Sequence, residues 1–191
     1  MKKSFTLVIA IVAALLLTVS CTSRKKTDTQ PLTKEEIVKR GEYLVTIIGC
    51  NDCHSPKKMG PKGPEIIPEL MLSGFQAGRQ LPAVDSKLAK DWLLMTPDLT
   101  AFYGPWGISF SANLTSDETG IGNWPEGTFK IALTKGKFKG FEGSRDLLPP
   151  MPWQNFVGIS DDDLEAIYNY LLSTKPVKNI VPPPVPPAGS N

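Results

Sequence analysis

The chain contains one histidine and three cysteines, and two of the cysteines lie directly before the histidine. The segment Cys50-Asn51-Asp52-Cys53-His54 therefore has the form C-x-x-C-H. Two thiols one helical turn apart can form thioethers with the two vinyl groups on one side of a porphyrin. The next residue can then present its imidazole to the iron. The motif predicts one covalently attached haem c, held by Cys50 and Cys53, with His54 as an iron ligand.

Three other kinds of site would use the same side chains. A zinc site needs four ligands, and only Cys50, Cys53 and His54 remain if Cys21 is lipidated as described below. A redox-active dithiol lies at a helix N-terminus after a strand, whereas a helical pattern precedes this motif. A structural disulfide between Cys50 and Cys53 is a possible alternative in an oxidising compartment. We favour haem because C-x-x-C-H is the signature of c-type haem attachment. The export signal predicted below supports this independently, since c-type haem is attached outside the bacterial cytoplasm.

The second axial ligand of the iron cannot be another histidine of this chain, so we expect a methionine thioether. Met59 is only five residues past His54, too close to reach the opposite face without a tight detour, and Met71 and Met95 have contexts in which core packing is the default. Met151 lies in the segment Leu147-Leu-Pro-Pro-Met-Pro-Trp153. The flanking prolines restrict the backbone, so little conformational freedom is lost when the sulfur binds iron. Met151 is therefore the predicted ligand.

The N-terminus has the pattern of an export signal, with a basic start, an apolar run over 5–17 and small residues before Cys21. The apolar run is shorter than the roughly 20 residues needed to span a bilayer. We predict a lipoprotein signal peptide over 1–20, lipidation at Cys21 and a flexible tether over 21–32; an uncleaved anchor and simple secretion are the alternatives. The net charge of the whole chain is +2, which gives no reason to expect a nucleic acid partner.

Capping and periodicity predict three helices. The first begins at Thr33 and ends near Gly49, the second follows Trp124-Pro125 and ends at Gly136, and the third runs from Ser160 to before Pro176. Residues 55–112 predict a long irregular region with a short helix over 86–95 and an extended or looped stretch over 102–113. We expect one domain over 33–176 and a Pro-rich tail over 177–191. An extended, unstructured tail is preferred over a docking peptide.

The order of motifs along the chain resembles class I c-type cytochromes, and most closely the cytochrome c domains in cytochrome subunits of bacterial membrane-bound dehydrogenases. The motifs are Gly41-Glu-Tyr-Leu44, Cys50–His54, Asn113-Leu-Thr115, Thr119–Trp124, Pro150-Met-Pro152 and Ser160–Leu171. The resemblance covers about 34–176, although 57–105 match poorly. Such subunits often carry several haems, whereas this chain has a single motif.

The resemblance implies a mainly α, cytochrome c-like fold wrapped around one covalent haem, with long irregular loops, His54 proximal and Met151 distal. It also makes Trp124, Asn113 and Arg145 candidates to border the haem or its propionates. The implied function is a non-enzymatic electron carrier between a redox protein donor and acceptor. Lipid at Cys21 would tether it to the periplasmic side of a bacterial membrane. The alternatives are an electron-transfer subunit of a dehydrogenase or oxidase complex, and an enzyme or gas sensor with an open iron site.

Overall fold

The structure is a computed structural model that describes residues 31–85 and 88–187. Within these ranges the elements are α1 (Lys34–Ile47), α2 (Cys50–His54), β1 (Lys57–Gly60), β2 (Gly63–Ile66), β3 (Leu94–Met95), β4 (Ala101–Gly104), β5 (Gly107–Phe110), α3 (Glu126–Lys135) and α4 (Asp161–Ser173), with four short 3-10 turns. The predicted signal peptide over 1–20, the lipidation site Cys21 and most of the predicted tether lie outside the described residues. No described helix is long and apolar enough to cross a membrane.

Helix α1 begins where its capping residues predict. The Thr33 amide donates to a Glu36 carboxylate oxygen at 2.8 Å, and the Glu36 amide donates to Thr33 Oγ1 at 3.3 Å, so the capping box is complete. The helix ends at Ile47, two residues before the predicted Gly49. Gly49 has φ 82°, a left-handed conformation that glycine adopts without steric cost. This turn redirects the chain from α1 directly into the C-x-x-C-H segment.

Helices α1 and α4 pack closely and form the centre of the core. Gly41 of α1 is buried, and a Cβ built on it would lie 1.9 Å from the Ala166 carbonyl oxygen of α4. Beside this contact, Arg40 pairs with Asp163 across the two helices at 2.5 Å. The buried apolar cluster consists of Val45, Leu72, Ile121, Phe129, Leu164, Ile167 and Leu171. The N-terminal helix that leads into the motif is thereby fixed against the C-terminal helix.

Replacing Gly41 with alanine is expected to destabilise the protein by about 1–3 kcal/mol, because the added methyl group collides with the backbone of α4. This corresponds to a fall in the thermal unfolding midpoint of roughly 2–10 °C. Gly127→Ala in α3 is the matched control, since a Cβ there meets nothing within 4 Å. The control should leave the midpoint unchanged or slightly raised. Equal effects of the two substitutions would contradict the close helix crossing.

Helices α3 and α4 have the ends that the sequence predicts to within a few residues. Helix α3 starts after Pro125, which serves as its N-cap rather than as its first helical residue, and it stops at Gly136 with φ 63°. Helix α4 has Ser160 as its N-cap, with the hydroxyl accepting from the Asp163 amide at 3.2 Å. The three aspartates in its first turn interact favourably with the positive end of the helix dipole and so stabilise α4.

The region predicted to be irregular contains two small antiparallel sheets. Strands β1 and β2 form a hairpin, and β3, β4 and β5 form a three-stranded sheet in that order. The extended stretch predicted over 102–113 is confirmed by β4 and β5, whose inward side chains are buried. The short helix predicted over 86–95 is wrong for the described part, where Leu88–Lys90 form one 3-10 turn and Leu94–Met95 form β3. Pairing of Leu94 and Met95 with β4 overrides the local helical preference.

The described part of the Pro-rich tail packs along the domain, although the sequence favoured an unstructured end. The Asn179 side chain donates to the carbonyls of Ser73 and Phe75 at 2.7 and 2.9 Å and accepts from the Ala77 amide at 2.9 Å. Farther along, Val185 and Ile108 exchange two backbone hydrogen bonds at 2.8 and 3.0 Å. The side-chain amide of Asn179 and the backbone N–H of Val185 thus supply hydrogen-bond donors that the neighbouring prolines lack.

Candidate haem site

Helix α2 is a single turn that carries all three residues of the predicted attachment motif. It is fixed at its C-terminal end by Ser55, whose side chain is fully buried. The Ser55 hydroxyl donates to the Asn51 side chain at 2.8 Å and accepts from the Leu72 amide at 2.9 Å. The turn that holds Cys50, Cys53 and His54 is therefore tied to both the core and the loop that follows β2.

Cys50 and Cys53 are free thiols, so they do not form the disulfide that was one alternative interpretation of the sequence. Burial raises the pKa of Cys50 to about 11 and also raises the pKa of Cys53. A redox-active dithiol needs the opposite, a lowered pKa that favours the thiolate. Over residues 31–85 and 88–187, no group of three or more His, Cys, Asp and Glu side chains could hold a metal ion. The surroundings of the thiols suit thioether formation better than thiolate chemistry.

His54 is oriented by a backbone group far away in the sequence. Its Nδ1 lies 2.8 Å from the carbonyl oxygen of Ala112, 58 residues later. Because a carbonyl can only accept, Nδ1 carries the proton and Nε2 keeps its lone pair. Nε2 has no hydrogen-bond partner among the described residues, and burial lowers the pKa of the imidazole, which favours the neutral form that binds iron. The tautomer and orientation therefore suit an axial ligand.

The segment around Met151 is held in place on both sides. The Ser109 hydroxyl of β5 donates to the carbonyl of Pro149 at 2.6 Å. The Leu147 amide, which also precedes Met151, donates to the Gly136 carbonyl at 2.7 Å, and after Met151 the Trp153 side chain packs directly against Gly136. Met151 itself is half-buried within this anchored segment. The rigidity expected from the prolines is thus supplemented by tertiary contacts.

One stretch of chain contacts both predicted axial-ligand segments. Ser109 contacts the Met151 segment and Ala112 contacts His54. Their Cα atoms are three residues apart, so at most ~11 Å separates them. A cleft of about 460 Å³ is lined by Ile48, at the end of α1, and by Pro152, Asn155, Phe156, Gly158 and Ile159. Its volume lies in the range of cofactor pockets. The lining does not include Cys50, Cys53, His54 or Met151, so the fit to a haem rests on the oriented imidazole and the two free thiols.

The other methionines considered as iron ligands, Met59, Met71 and Met95, lie elsewhere in the fold than Met151. Met59 in β1 is 69% exposed and Met95 in β3 is 53% exposed. Met71 packs against the core cluster, which is the role that the sequence gave as its default. None of the four methionines lines the cleft that includes Ile48, although Met151 directly precedes the lining residue Pro152. Ligation by Met151 stays a prediction, which its half-buried position and the exposure of Met59 and Met95 support.

The three residues suggested by resemblance as haem neighbours have packing roles in the structure. The Asn113 side chain donates to the Val177 carbonyl at 2.8 Å and accepts from the Thr115 amide at 3.0 Å, so it fixes the loop and the tail. Trp124 packs against the core. The Arg145 guanidinium lies 4.0 Å from the centroid of the Phe138 ring. Contact of these residues with haem stays a prediction.

Sequence reasoning missed the groups that position the motif. Ala112 acts through its backbone carbonyl, and Ser109 acts through a hydroxyl in an otherwise ordinary strand. Lys57 also lies outside the residues that the sequence predicts for the site, although it follows the motif closely and its ammonium group contacts the backbone of α2. No sequence signal distinguishes the first two, because every residue has a carbonyl and hydroxyls are common in strands.

No known family model matches the chain. The cytochrome c subunit of the quinone-dependent alcohol dehydrogenase of Gluconobacter oxydans is 29% identical over 145 residues, which are 75% of this chain and 23% of the relative. The gluconate 2-dehydrogenase cytochrome c subunit of Pantoea cypripedii is 30% identical over 139 residues, or 72% and 23%. This chain contains a cytochrome c domain that resembles those subunits.

A further match is to a nicotinate dehydrogenase polypeptide of Pseudomonas putida, at 39% identity over 79 residues, which are 41% of this chain and 6% of that relative. The chain therefore spans less than a quarter of the length of these curated relatives. The resemblance expected from the order of motifs is confirmed for the cytochrome c domain itself. Three quarters or more of each relative has no counterpart in the aligned residues.

Proposed function

We propose that this cytochrome c domain holds one covalent haem c and passes single electrons from a dehydrogenase to a redox acceptor outside the cytoplasm, without itself catalysing substrate oxidation. The observation that carries this proposal is the His54 imidazole, oriented by Ala112 with Nε2 available, one residue from a free cysteine. The relatives support it, since three are named as cytochrome subunits of dehydrogenases.

In this proposal the chain supplies attachment, ligation and orientation. Cys50 and Cys53 would hold the cofactor through thioethers, and His54 and Met151 would be the ligands of its iron. When bound, the haem supplies the reversible one-electron change of its iron. With both residues as ligands, the iron would have no position for a substrate, and this would distinguish a carrier from an enzyme or gas sensor. Thioether ligation also favours the reduced state relative to two imidazoles.

The relatives favour a lasting partnership with a dehydrogenase over a freely diffusing carrier, because their names describe subunits. Ile48, which lines the cleft, is 37% exposed, and Ile47 and Val157, which neighbour lining residues in the sequence, are 58% and 60% exposed. These exposed apolar side chains suit a small interface with another redox protein. Co-purification of a dehydrogenase polypeptide with the tagged full chain from membranes supports the subunit, and isolation of the chain alone supports the diffusing carrier.

The anchor is the part of the proposal that rests on the sequence alone. We infer that processing after residue 20 exposes Cys21 for lipidation and holds the domain on the periplasmic side of a bacterial membrane. A single acyl chain binds a membrane only weakly, so a lipoprotein needs more than one chain for stable anchoring. Intact-mass measurement of the mature protein gives the N-terminus and any lipid directly, and a mature protein beginning elsewhere without lipid contradicts the anchor.

An optical redox titration of the purified full-length protein tests electron transfer by a single haem. We expect one reversible wave that follows a one-electron Nernst curve, with cytochrome-type absorption in the reduced state. Carbon monoxide added to the reduced protein at neutral pH should leave the spectrum unchanged, because both axial positions are taken by side chains. Two separate waves would contradict a single haem, and formation of a carbon monoxide complex would indicate an open iron site.

A further inference from the structure

The ammonium group of Lys57 lies against the backbone carbonyls at the C-terminal end of α2. Its Nζ donates to the carbonyl oxygens of Asp52 at 2.6 Å, Ser55 at 2.9 Å and Asp98 at 3.1 Å, with a longer contact to Asn51 at 3.3 Å. Two of these acceptors belong to α2, and Ser55 directly follows His54. A cation at the carbonyl end of a helix is stabilised by the helix dipole. The side chain is half-buried, so solvent screens its charge only in part.

In the part of the chain that the structure describes, no carboxylate forms an ion pair with Lys57, whose ammonium group contacts backbone carbonyls instead. The carboxylates that act on it are those of Asp98 and Asp52. Asp98 Oδ2 is already paired with Arg79 at 2.5 Å and accepts from Thr100 Oγ1 at 2.9 Å. Asp52 is exposed, where water and salt weaken its field. Neutral backbone carbonyls therefore satisfy the ammonium group, and one positive charge remains close to the motif.

The same contacts connect the region 57–112 to the motif. Asp98 lies between β3 and β4, and it is 6% exposed and fixed by Arg79. Its carbonyl holds Lys57 across a sequence separation of 41 residues. The region 57–112 thus contributes directly to the placement of a charge close to α2.

We propose that Lys57 is a positioning residue that fixes α2 and, through its charge beside His54, raises the reduction potential of haem bound there. The inference rests on the proposed function. Reduction adds one electron at the iron, so a fixed positive charge nearby stabilises the reduced state more than the oxidised state. The region 57–112, through Asp98, then takes part in tuning the electron-transfer site.

The test compares midpoint potentials of purified holoproteins in which one lysine loses its charge. Lys57→Met should lower the equilibrium constant for reduction by roughly tenfold, the order of one unit charge acting through partly solvated protein. For a one-electron couple this is about 59 mV. Lys58→Met is the matched control, because Lys58 is the next residue, carries the same charge and is exposed on β1. Its effect should be several times smaller.

Two more variants separate charge from packing. Lys57→Arg keeps the charge and should retain most of the parental potential. Lys57→Gln removes the charge but keeps a donor, so it should show the same fall as Lys57→Met and replaces it if the methionine variant does not load haem. Equal shifts at the two lysines, or an arginine variant as low as the glutamine variant, overturn the role of charge. A parent protein without a one-electron wave overturns the proposed function and this inference together.

Discussion

Replacing both Cys50 and Cys53 with serine is expected to abolish covalent retention of haem. A thioether forms when a thiol adds across a vinyl group, and a serine hydroxyl does not undergo this addition under the same conditions. Both thiols are free in α2, on a turn that Ser55 fixes against the core. Each single replacement should leave one thioether, so pigment stays on the chain but absorbs at longer wavelength because one vinyl group remains conjugated.

The measurement is extraction of the denatured mature protein with acidified organic solvent. Pigment should stay with the parent polypeptide and with both single variants, and it should move into the solvent, or be missing from the start, for the double variant. Cys21→Ser is the control, since it removes the remaining cysteine of the chain and should leave attachment unchanged in protein that is still exported. Extractable pigment in the parent protein would refute covalent attachment.

Replacing Met151 with alanine is expected to remove the sulfur ligand of the iron. The weak near-red absorption band of the oxidised protein, which reports iron–sulfur ligation, should disappear. The reduction potential should fall because a thioether stabilises the reduced iron, and the reduced protein should gain the ability to bind carbon monoxide. The segment is held independently by Ser109 and by Gly136, so the fold should survive the loss of this half-buried side chain.

Met59→Ala is the matched control because this methionine is 69% exposed on β1. It should leave the near-red band and the potential unchanged. Persistence of the band in Met151→Ala would move the assignment to another methionine. Met71→Ala then becomes the decisive variant, although its packing against the core makes a loss of stability part of its expected effect.

The helix boundaries could be predicted because they depend on neighbours in the sequence. Thr33 and Glu36 complete their capping box within four residues, and Ser160 and Gly136 cap their helices with their own side chain or backbone conformation. The attachment motif has the same local character, since one turn of helix suffices to set the spacing of Cys50, Cys53 and His54. Such features need no long-range contact to form.

The sheets and the tail could not be predicted with the same reliability. The region 86–95 has a pattern compatible with a short helix, but its last residues pair with β4 instead. The tail has few backbone donors, and its packing depends on Asn179, which reaches carbonyls more than 100 residues earlier in the chain. Strand pairing and tail packing are set by contacts distant in sequence, and local propensity does not report them.

By itself, the sequence determined the chemistry of this protein: two thiols, one imidazole and a proline-flanked thioether define which groups can attach a haem and ligate its iron. Only the tertiary structure decided how these groups are held. The Ala112 carbonyl orients His54 across 58 residues, and the Asp98 carbonyl holds Lys57 across 41. The physical reason is that residue type specifies reactivity, whereas orientation here comes from backbone carbonyls that every residue possesses and that only folding brings into place.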